Sequence, residues 1–271
     1  MDKLNEYVGR QYDKFQNTLE KIEKPAKYLN YGFTTPANRK ATYEVKQEHL
    51  CLETFKLADI KPHHHIVDVG FGSSQQDFLL YSTFPFARLD GFNVAQKQVQ
   101  YANAFAENKC LSEKLRFHHS PAEDMGVLSA NSIDRMIAIE CAFYFNRNRF
   151  YKEAARVLKP GGRLVLADIS FGPQLKFLTR GSEDMRRVGL LTENRQLWEK
   201  YFTTRKVINI NRETRPGTQK TVFKCMSSIF MNLSIVEIKT WFKMAYYSQL
   251  VALGLALGLV SYDFIVLEKE G

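Results

Sequence analysis

The stretch His65–Ser74, reading HIVDVGFGSS, constrains the fold more tightly than any other part of this chain. Ile66–Val69 is a β-branched apolar run that ends in two glycines one residue apart, and helix-compatible sequence follows from Gln75 to Tyr81. A strand, a tight turn and a helix start in that order present backbone N–H groups to a ligand at the edge of an α/β sheet. Gly70 and Gly72 can take positive φ, and their missing side chains are expected to leave room for that ligand. The third glycine of a dinucleotide fingerprint is absent, because Gln75 stands in its place. Asp68, two residues before the first glycine, sits at the strand end, in reach of a ligand amine or hydroxyl.

Downstream the chain alternates with a short period. Strands are predicted at 65–69, 87–92, 115–119, 133–139 and 163–169, with helices at 75–82, 96–108 and 147–158. Such alternation implies βαβ units, a parallel sheet and helices on both faces. An amphipathic helix over 2–28, interrupted near its end by Pro25, and a helix over 37–58 precede the first strand. Beyond residue 170 the spacing predicts a helix over 183–202, a strand over 206–212, a break at Thr214–Gly217, helical sequence from 219 to 260 and a last strand at 262–267. Three parts follow: an N-terminal helical cap (1–60), a ligand-binding core (61–170), and the rest of the core with a helical lid (171–271).

The 271 residues, 45% of them hydrophobic, are enough to bury a sizeable core. Four widely spaced cysteines without a C-x-x-C pair fit reduced thiols, and the first residues carry no apolar signal segment, so a cytoplasmic protein is expected. The net charge of +9 is diffuse. Its densest patch, Arg180–Arg187 with Arg205–Lys206 and Arg212–Arg215, is interrupted by acids and reads as a solvated face. Leu250–Val260 is uninterrupted apolar sequence with a G-x-x-x-G spacing. It is too short to span a bilayer, which takes roughly 20 residues, and reads as a buried or interface helix. Peripheral membrane contact stays open, and so does the choice between monomer and homodimer. His63–His65 and His118–His119 lack acidic or cysteine partners at ligand spacing, so no metal site is expected.

Five segments in order carry a resemblance. Besides Asp68-Val69-Gly70-Phe71-Gly72 they are Leu89–Asn93 with Gln98-Val99-Gln100-Tyr101-Ala102, Ser120–Met125, Ser132–Cys141, and Arg156–Leu164 with its R-V-L-K-P-G-G. Together, residues 63–169 resemble class I S-adenosylmethionine-dependent methyltransferases, in the branch that acts on sterols, tocopherols and natural products. The resemblance implies a Rossmann-like seven-stranded, mostly parallel sheet with the last strand antiparallel, N-terminal helices, and a helical lid inserted between the last two strands. It implies S-adenosylmethionine as cofactor and S-adenosylhomocysteine as product. The cofactor would be held by Asp68, Gly70, Gly72, Ser74, Asn93, Gln98, Ala122, Glu123 and Glu140. Pro121 replaces the usual acid of the adenine segment, leaving Glu123 as the nearest substitute. Glu140 and Tyr144 are the catalytic candidates. Tyr144 stands where many relatives have a histidine, and an ordinary phenol pKa near 10 makes a poor base. Tyr28, Tyr31, Tyr144 and Trp241 are expected around the acceptor, a small and apolar or lipid-like molecule. Two alternatives stay open: an RNA methyltransferase, disfavoured because no Asn or Asp before two prolines follows the fourth strand, and a non-catalytic protein of the same fold that binds a partner.

Overall fold

The computed structural model describes residues 1–21, 28–181, 183–228 and 235–271. In chain order the elements are α1 (Lys3–Lys21), α2 (Tyr43–Ala58), β1 (His65–Val69), α3 (Gln75–Thr83), β2 (Arg88–Asn93), α4 (Gln96–Asn108), β3 (Leu115–His119), β4 (Ile133–Ile139), α5 (Arg147–Val157), β5 (Leu158–Phe171), α6 (Glu183–Val188), α7 (Leu191–Trp198), β6 (Thr203–Asn209), α8 (Asn211–Ser228), α9 (Ile235–Ala256) and β7 (Val260–Glu268). The seven strands form one sheet in the order β3-β2-β1-β4-β5-β7-β6. β1 to β5 run parallel, and β7 lies antiparallel to both of its neighbours. This is the Rossmann-like seven-stranded architecture expected from the motifs.

Period-two alternation divides the strand side chains between two apolar layers. Ile66, Leu89, Ile137 and Ala167 pack with Leu50 and Phe55 of α2 and Leu80 of α3. Val67, Phe92, Met136 and Leu166 face the other way, onto Phe150 and Tyr151 of α5 and Trp198 of α7. The central strands are buried on both faces, which explains why they read as continuous apolar runs. β6 is the opposite case: its last residues are exposed, and Arg205 and Lys206 put charge on a sheet edge that would otherwise invite pairing.

Four expectations need correction. The second helix starts at Tyr43, not Ala37, because Thr42 takes an extended conformation and its hydroxyl accepts from Val45 N–H as an N-cap. The helix expected over 183–202 is two helices, parted at Gly189 (φ +62°) where Gly189 C=O accepts from Phe171 N–H at the end of β5. The break expected at Thr214–Gly217 is helical, with Pro216 inside α8. Finally, the Lys159–Gly162 turn, whose proline and glycines read as the stop of the helix over 147–158, does not cap α5. Leu158 already leaves the helix in an extended conformation, and Gly161 (φ +74°) bends the chain where its N–H meets Lys269 C=O. Pro25 lies outside the described residues.

The apolar run Leu250–Val260 is split. Ala252 and Leu255 are buried, whereas Leu250, Leu253 and Leu257 are exposed. Gly254 serves close packing, since a Cβ there would come within 2.5 Å of the Val260 side chain, and Gly258 (φ +69°) ends the segment. Among the described residues no helix is long and apolar enough to cross a membrane.

The start of α8 is braced by the segment that follows residue 27. Thr34 N–H donates to Glu213 C=O at 2.9 Å, and a Cβ on Gly217 would stand 1.4 Å from Tyr31 O. Gly217→Ala should therefore lower stability by about 1–3 kcal/mol, the usual cost of overpacking, read as a Tm several degrees lower. Gly126→Ala is the control, because its Cβ would meet only the Asp124 carboxylate, at 3.3 Å. An unchanged Tm for Gly217→Ala would show that the brace is not needed.

Candidate active site

β1 and β4 are neighbours, yet the chain leaves β1 toward β2 on one side and leaves β4 toward β5 on the other. Open α/β sheets have a crevice at such a switch point, beyond the carboxyl ends of the strands. Here the crevice is a cavity of about 780 Å³ including its open mouth, lined from β1, β2, β4 and the loops after them and roofed by Asn5, Val8 and Tyr12 of α1.

Gly70 and Gly72 are in the wall and both take positive φ, +69° and +59°. Their missing side chains also let distant segments of the chain come close. A Cβ on Gly70 would lie 2.6 Å from Cys141 Cβ, and one on Gly72 would lie 3.2 Å from Leu29 Cδ1. The glycines let the chain's own segments close in, and the cavity begins beside them.

Asp68 and Ser74 stand behind the wall. Asp68 Oδ2 accepts from Gln76 Nε2 at 2.5 Å, and Asp77, in the first turn of α3, lies against it; all three side chains are buried. Loss of water raises the Asp68 carboxyl to about 7 and pushes Asp77 up further, with the like charge of Asp68 adding to it. Two carboxyls placed this way share a proton. Ser74, at φ +60°, starts α3 without a side-chain cap, its hydroxyl donating to Ser73 C=O. Gln76 and Ser73, which the motif reading passed over, are the residues that reach the cavity.

The second motif is built as a pair of amides. Asn93 Nδ2 donates to Gln98 Oε1 at 2.9 Å, and Asn93 Oδ1 accepts from Ala95 N–H. The Gln98 Nε2 donor is left buried in the cavity wall without a protein partner. On the adjoining loop, beside Ala122, Glu123 Oε1 accepts from Asn146 N–H at 2.7 Å, and Oε2 is likewise buried and unpartnered. Burial holds the Glu123 carboxyl above its ordinary range. Orphaned polar atoms cost free energy, of order 1–3 kcal/mol each. A donor and an acceptor left open in one cavity wall fit a ligand that supplies a hydroxyl on one side and an amine on the other.

Glu140 closes the opposite end. It follows β4 with φ +51°, a conformation few residues other than glycine adopt. Its N–H is tied to Ala167 C=O across the sheet. Oε1 accepts from Tyr262 Oη–H at 2.6 Å and from Tyr31 N–H at 2.7 Å. Among the described residues Oε2 receives no bond. Loss of water raises this carboxyl to about 8, against the pull of those two donors. Tyr144 also lines the cavity, and Tyr12 Oη–H donates to its Oη at 3.1 Å, with the rings edge to face.

The acceptor-side expectations divide. Tyr31 reaches Glu140 through its backbone and Ser248 of α9 through its hydroxyl, at 3.4 Å. Tyr28 points elsewhere, its hydroxyl on Glu48. The Trp241 side chain lies outside what the structure describes. Sequence reasoning missed Asn5, Tyr12 and Asn30. Val8 and Tyr12 were legible as one apolar helix face, but nothing local says that the face covers this cavity. Two histidines also find a use: His65 Nε2 and His118 Nε2 each lie 2.6 Å from the buried Asp90 carboxylate. Among the described residues no cluster suited to a metal ion is present.

Residues 67–166 match the family model described as a methyltransferase domain. Erythromycin 3''-O-methyltransferase of Saccharopolyspora erythraea is 32% identical over 58% of this chain and 51% of its own length. An O-methyltransferase of Pyrenophora dematioidea is 30% identical over 60% of each chain. The chain thus spans between half and two thirds of the length of the first curated relatives it matches. Among solved structures, the cyclopropane synthase MmaA2 from Mycobacterium tuberculosis superposes with a TM-score of 0.81 at 13% identity, covering 99% of both chains.

The shared proton of Asp68 and Asp77 has a consequence for stability. Their folded pKa values lie above the unfolded value of about 3.9, so the native state binds more protons in between. Stability therefore falls as pH rises above about 4, through about 7 where Asp68 ionises, and goes on falling until Asp77 has also lost its proton. Asp77→Asn keeps a donor for Asp68 and removes one buried ionisable group. It should raise Tm by a few degrees at pH 8 and change it little at pH 4. Equal Tm values for variant and parent at pH 8 would contradict the shared-proton account.

Proposed function

We infer that this chain, which carries the class I S-adenosylmethionine-dependent methyltransferase domain, methylates a small apolar or lipid-like acceptor and releases S-adenosylhomocysteine. The observation that carries the reading is the orphaned pair, Gln98 Nε2 and Glu123 Oε2, in one wall of a switch-point cavity. Among the described residues that wall holds no lysine or arginine, which favours a small molecule over a nucleic acid.

When bound, S-adenosylmethionine supplies a methyl group already activated on a sulfonium sulfur. What remains for the protein is to bind, orient and keep water out. Gln98, steadied by Asn93, would hold the ribose, and Glu123 would hold the adenine side, taking the place of the acid that Pro121 displaces. The backbone from Gly70 to Ser73, with Gln76 beneath it, would hold the amino-acid end, and Asp68 would act at one remove through Gln76. α1 roofs the site against water.

On the acceptor side, Glu140 is the group suited to take a proton. Its pKa near 8 is what a base working around neutrality needs, and Oε2 is open. Tyr262 and Tyr31 hold Oε1, so the carboxylate keeps its aim. Tyr144 lines the cavity, its hydroxyl accepting from Tyr12 Oη–H, and orients the acceptor from that position. Positioning of this kind can supply roughly 7–11 kcal/mol of barrier lowering, and a base typically 10²–10⁴-fold.

Calorimetry with S-adenosylmethionine and S-adenosylhomocysteine is the first measurement. Saturable heat is expected, with Gln98→Ala weakening binding roughly tenfold, and no heat with either ligand would end the enzymatic reading. With an acceptor found by screening apolar hydroxyl compounds against methyl-labelled cofactor, kcat/KM should rise with pH and level off above about 8. Glu140→Gln should cost 10²–10⁴-fold and flatten the profile. Tyr144→Phe should lose most turnover while cofactor affinity holds, and unchanged turnover would remove its orienting role.

A further inference from the structure

Arg187 lies in the basic patch read from sequence as a solvated face, yet only 6% of it is exposed. Its guanidinium gathers four segments of chain. Nη1 donates to Tyr144 C=O at 2.6 Å and reaches Asn5 Oδ1 at 3.5 Å; Nη2 donates to Glu183 Oε1 at 2.8 Å and to Asp2 Oδ2 at 3.2 Å. Glu123 Oε1 is 3.9 Å from Nη1. One side chain therefore touches the helix that roofs the cavity, the carbonyl of an acceptor-side tyrosine and the loop offered to the adenine.

The backbone of Arg187 is itself anchored. Arg147, buried and paired with Asp168 of β5 at 2.6 Å, donates from Nε to Arg187 C=O at 2.7 Å and from Nη2 to Val188 C=O at 3.2 Å. A line of polar contacts thus runs from the sheet through Arg147 and Arg187 to Asp2 and Asn5 of the roof. The other described ties of α1 to the core lie farther along the helix. Asp13 Oδ1 accepts from Lys97 N–H in the first turn of α4, and Gly9 sits so close to Val94 O that a Cβ would come within 2.3 Å.

We propose that Arg187 is a latch: it holds α1 shut over the cavity and, through the same guanidinium, sets Tyr144 and the Glu123 loop in place only when the roof is down. The proposal rests on the cofactor reading for its function, though not for its geometry. With Asn5, Val8 and Tyr12 in the roof, lifting α1 widens the way in and out of the cavity mouth for a ligand. The strength of the latch suits that traffic. Asp2 and Glu183 are partly exposed, so each pair is individually weak. Lid motions of this sort commonly set the rate of product release.

Asp2→Asn isolates the latch, because Asp2 Oδ1 also caps α1 by accepting from Leu4 and Asn5 N–H, and asparagine caps as well as aspartate. The variant removes the charge and puts an amide donor where Oδ2 accepted from Arg187, so the Asp2–Arg187 contact is lost while the cap is kept. In hydrogen exchange on the ligand-free protein, Asp2→Asn and Arg187→Gln should each speed the amides of α1 by about fivefold or more. Those of β1 and β4 should stay unchanged, and Arg187→Lys should recover part of the protection. The dissociation rate of S-adenosylhomocysteine, followed by stopped flow, should rise by a similar factor with Tm held within a degree for Asp2→Asn. Unchanged α1 exchange in Asp2→Asn overturns the latch even if Arg187→Gln does not fold. If the parent protein binds no S-adenosylhomocysteine, the functional reading fails, and exchange still decides whether the latch exists.

Discussion

The structure depends on keeping polar groups satisfied, or usefully unsatisfied, where the carboxyl ends of β1, β2 and β4 emerge from a double-sided apolar sheet. Backbone and side-chain polar atoms at these ends leave the ladder of strand hydrogen bonds and enter a region that water reaches only through the cavity mouth. Some are answered by the protein itself: Gly70 N–H by Phe92 C=O, Cys141 Sγ–H by Val69 C=O, Glu140 Oε1 by Tyr31 and Tyr262. Of those that are not, Gln98 Nε2 and Glu123 Oε2 belong to residues that line the cavity, whereas Asp68 Oδ1 and the Asp77 oxygens lie behind its wall.

The same desolvation tunes the carboxyls. Asp68 and Asp77 are taken from water beneath the turn and share a proton, whereas Asp90, facing His118, His65 and Arg88, is held well below the usual carboxylate range despite its burial. Glu140 is also lifted by burial, to about 8, against the pull of two donors on Oε1. Its left-handed backbone is strain that the sheet sustains through the Glu140–Ala167 bond, and strained residues of this kind concentrate where chemistry is done.

How much could be read beforehand varies with the range of the forces involved. β1, α4, β3 and β4 were legible almost to the residue, because apolar periodicity and glycine punctuation act within a few residues. The Gly70 and Gly72 turn was legible as a turn, but not that Cys141 and Leu29, far away in sequence, close in on its two glycines. The break at Gly189 was invisible because it answers a strand end at Phe171. Pro216 suggested a break, yet α8 continues past it, braced by the segment around Tyr31 and Thr34.

By itself, then, the sequence determined the class of fold and the position of the turn at the first strand, since these follow from local pattern and spacing. Only the tertiary structure decided that α1 roofs the cavity, that Arg187 is buried among four segments and not spread on a basic surface, and that Gln98 and Glu123 each keep one atom without a partner. Those outcomes depend on which groups are deprived of water and which distant chain replaces it, and no window of neighbouring residues contains that information.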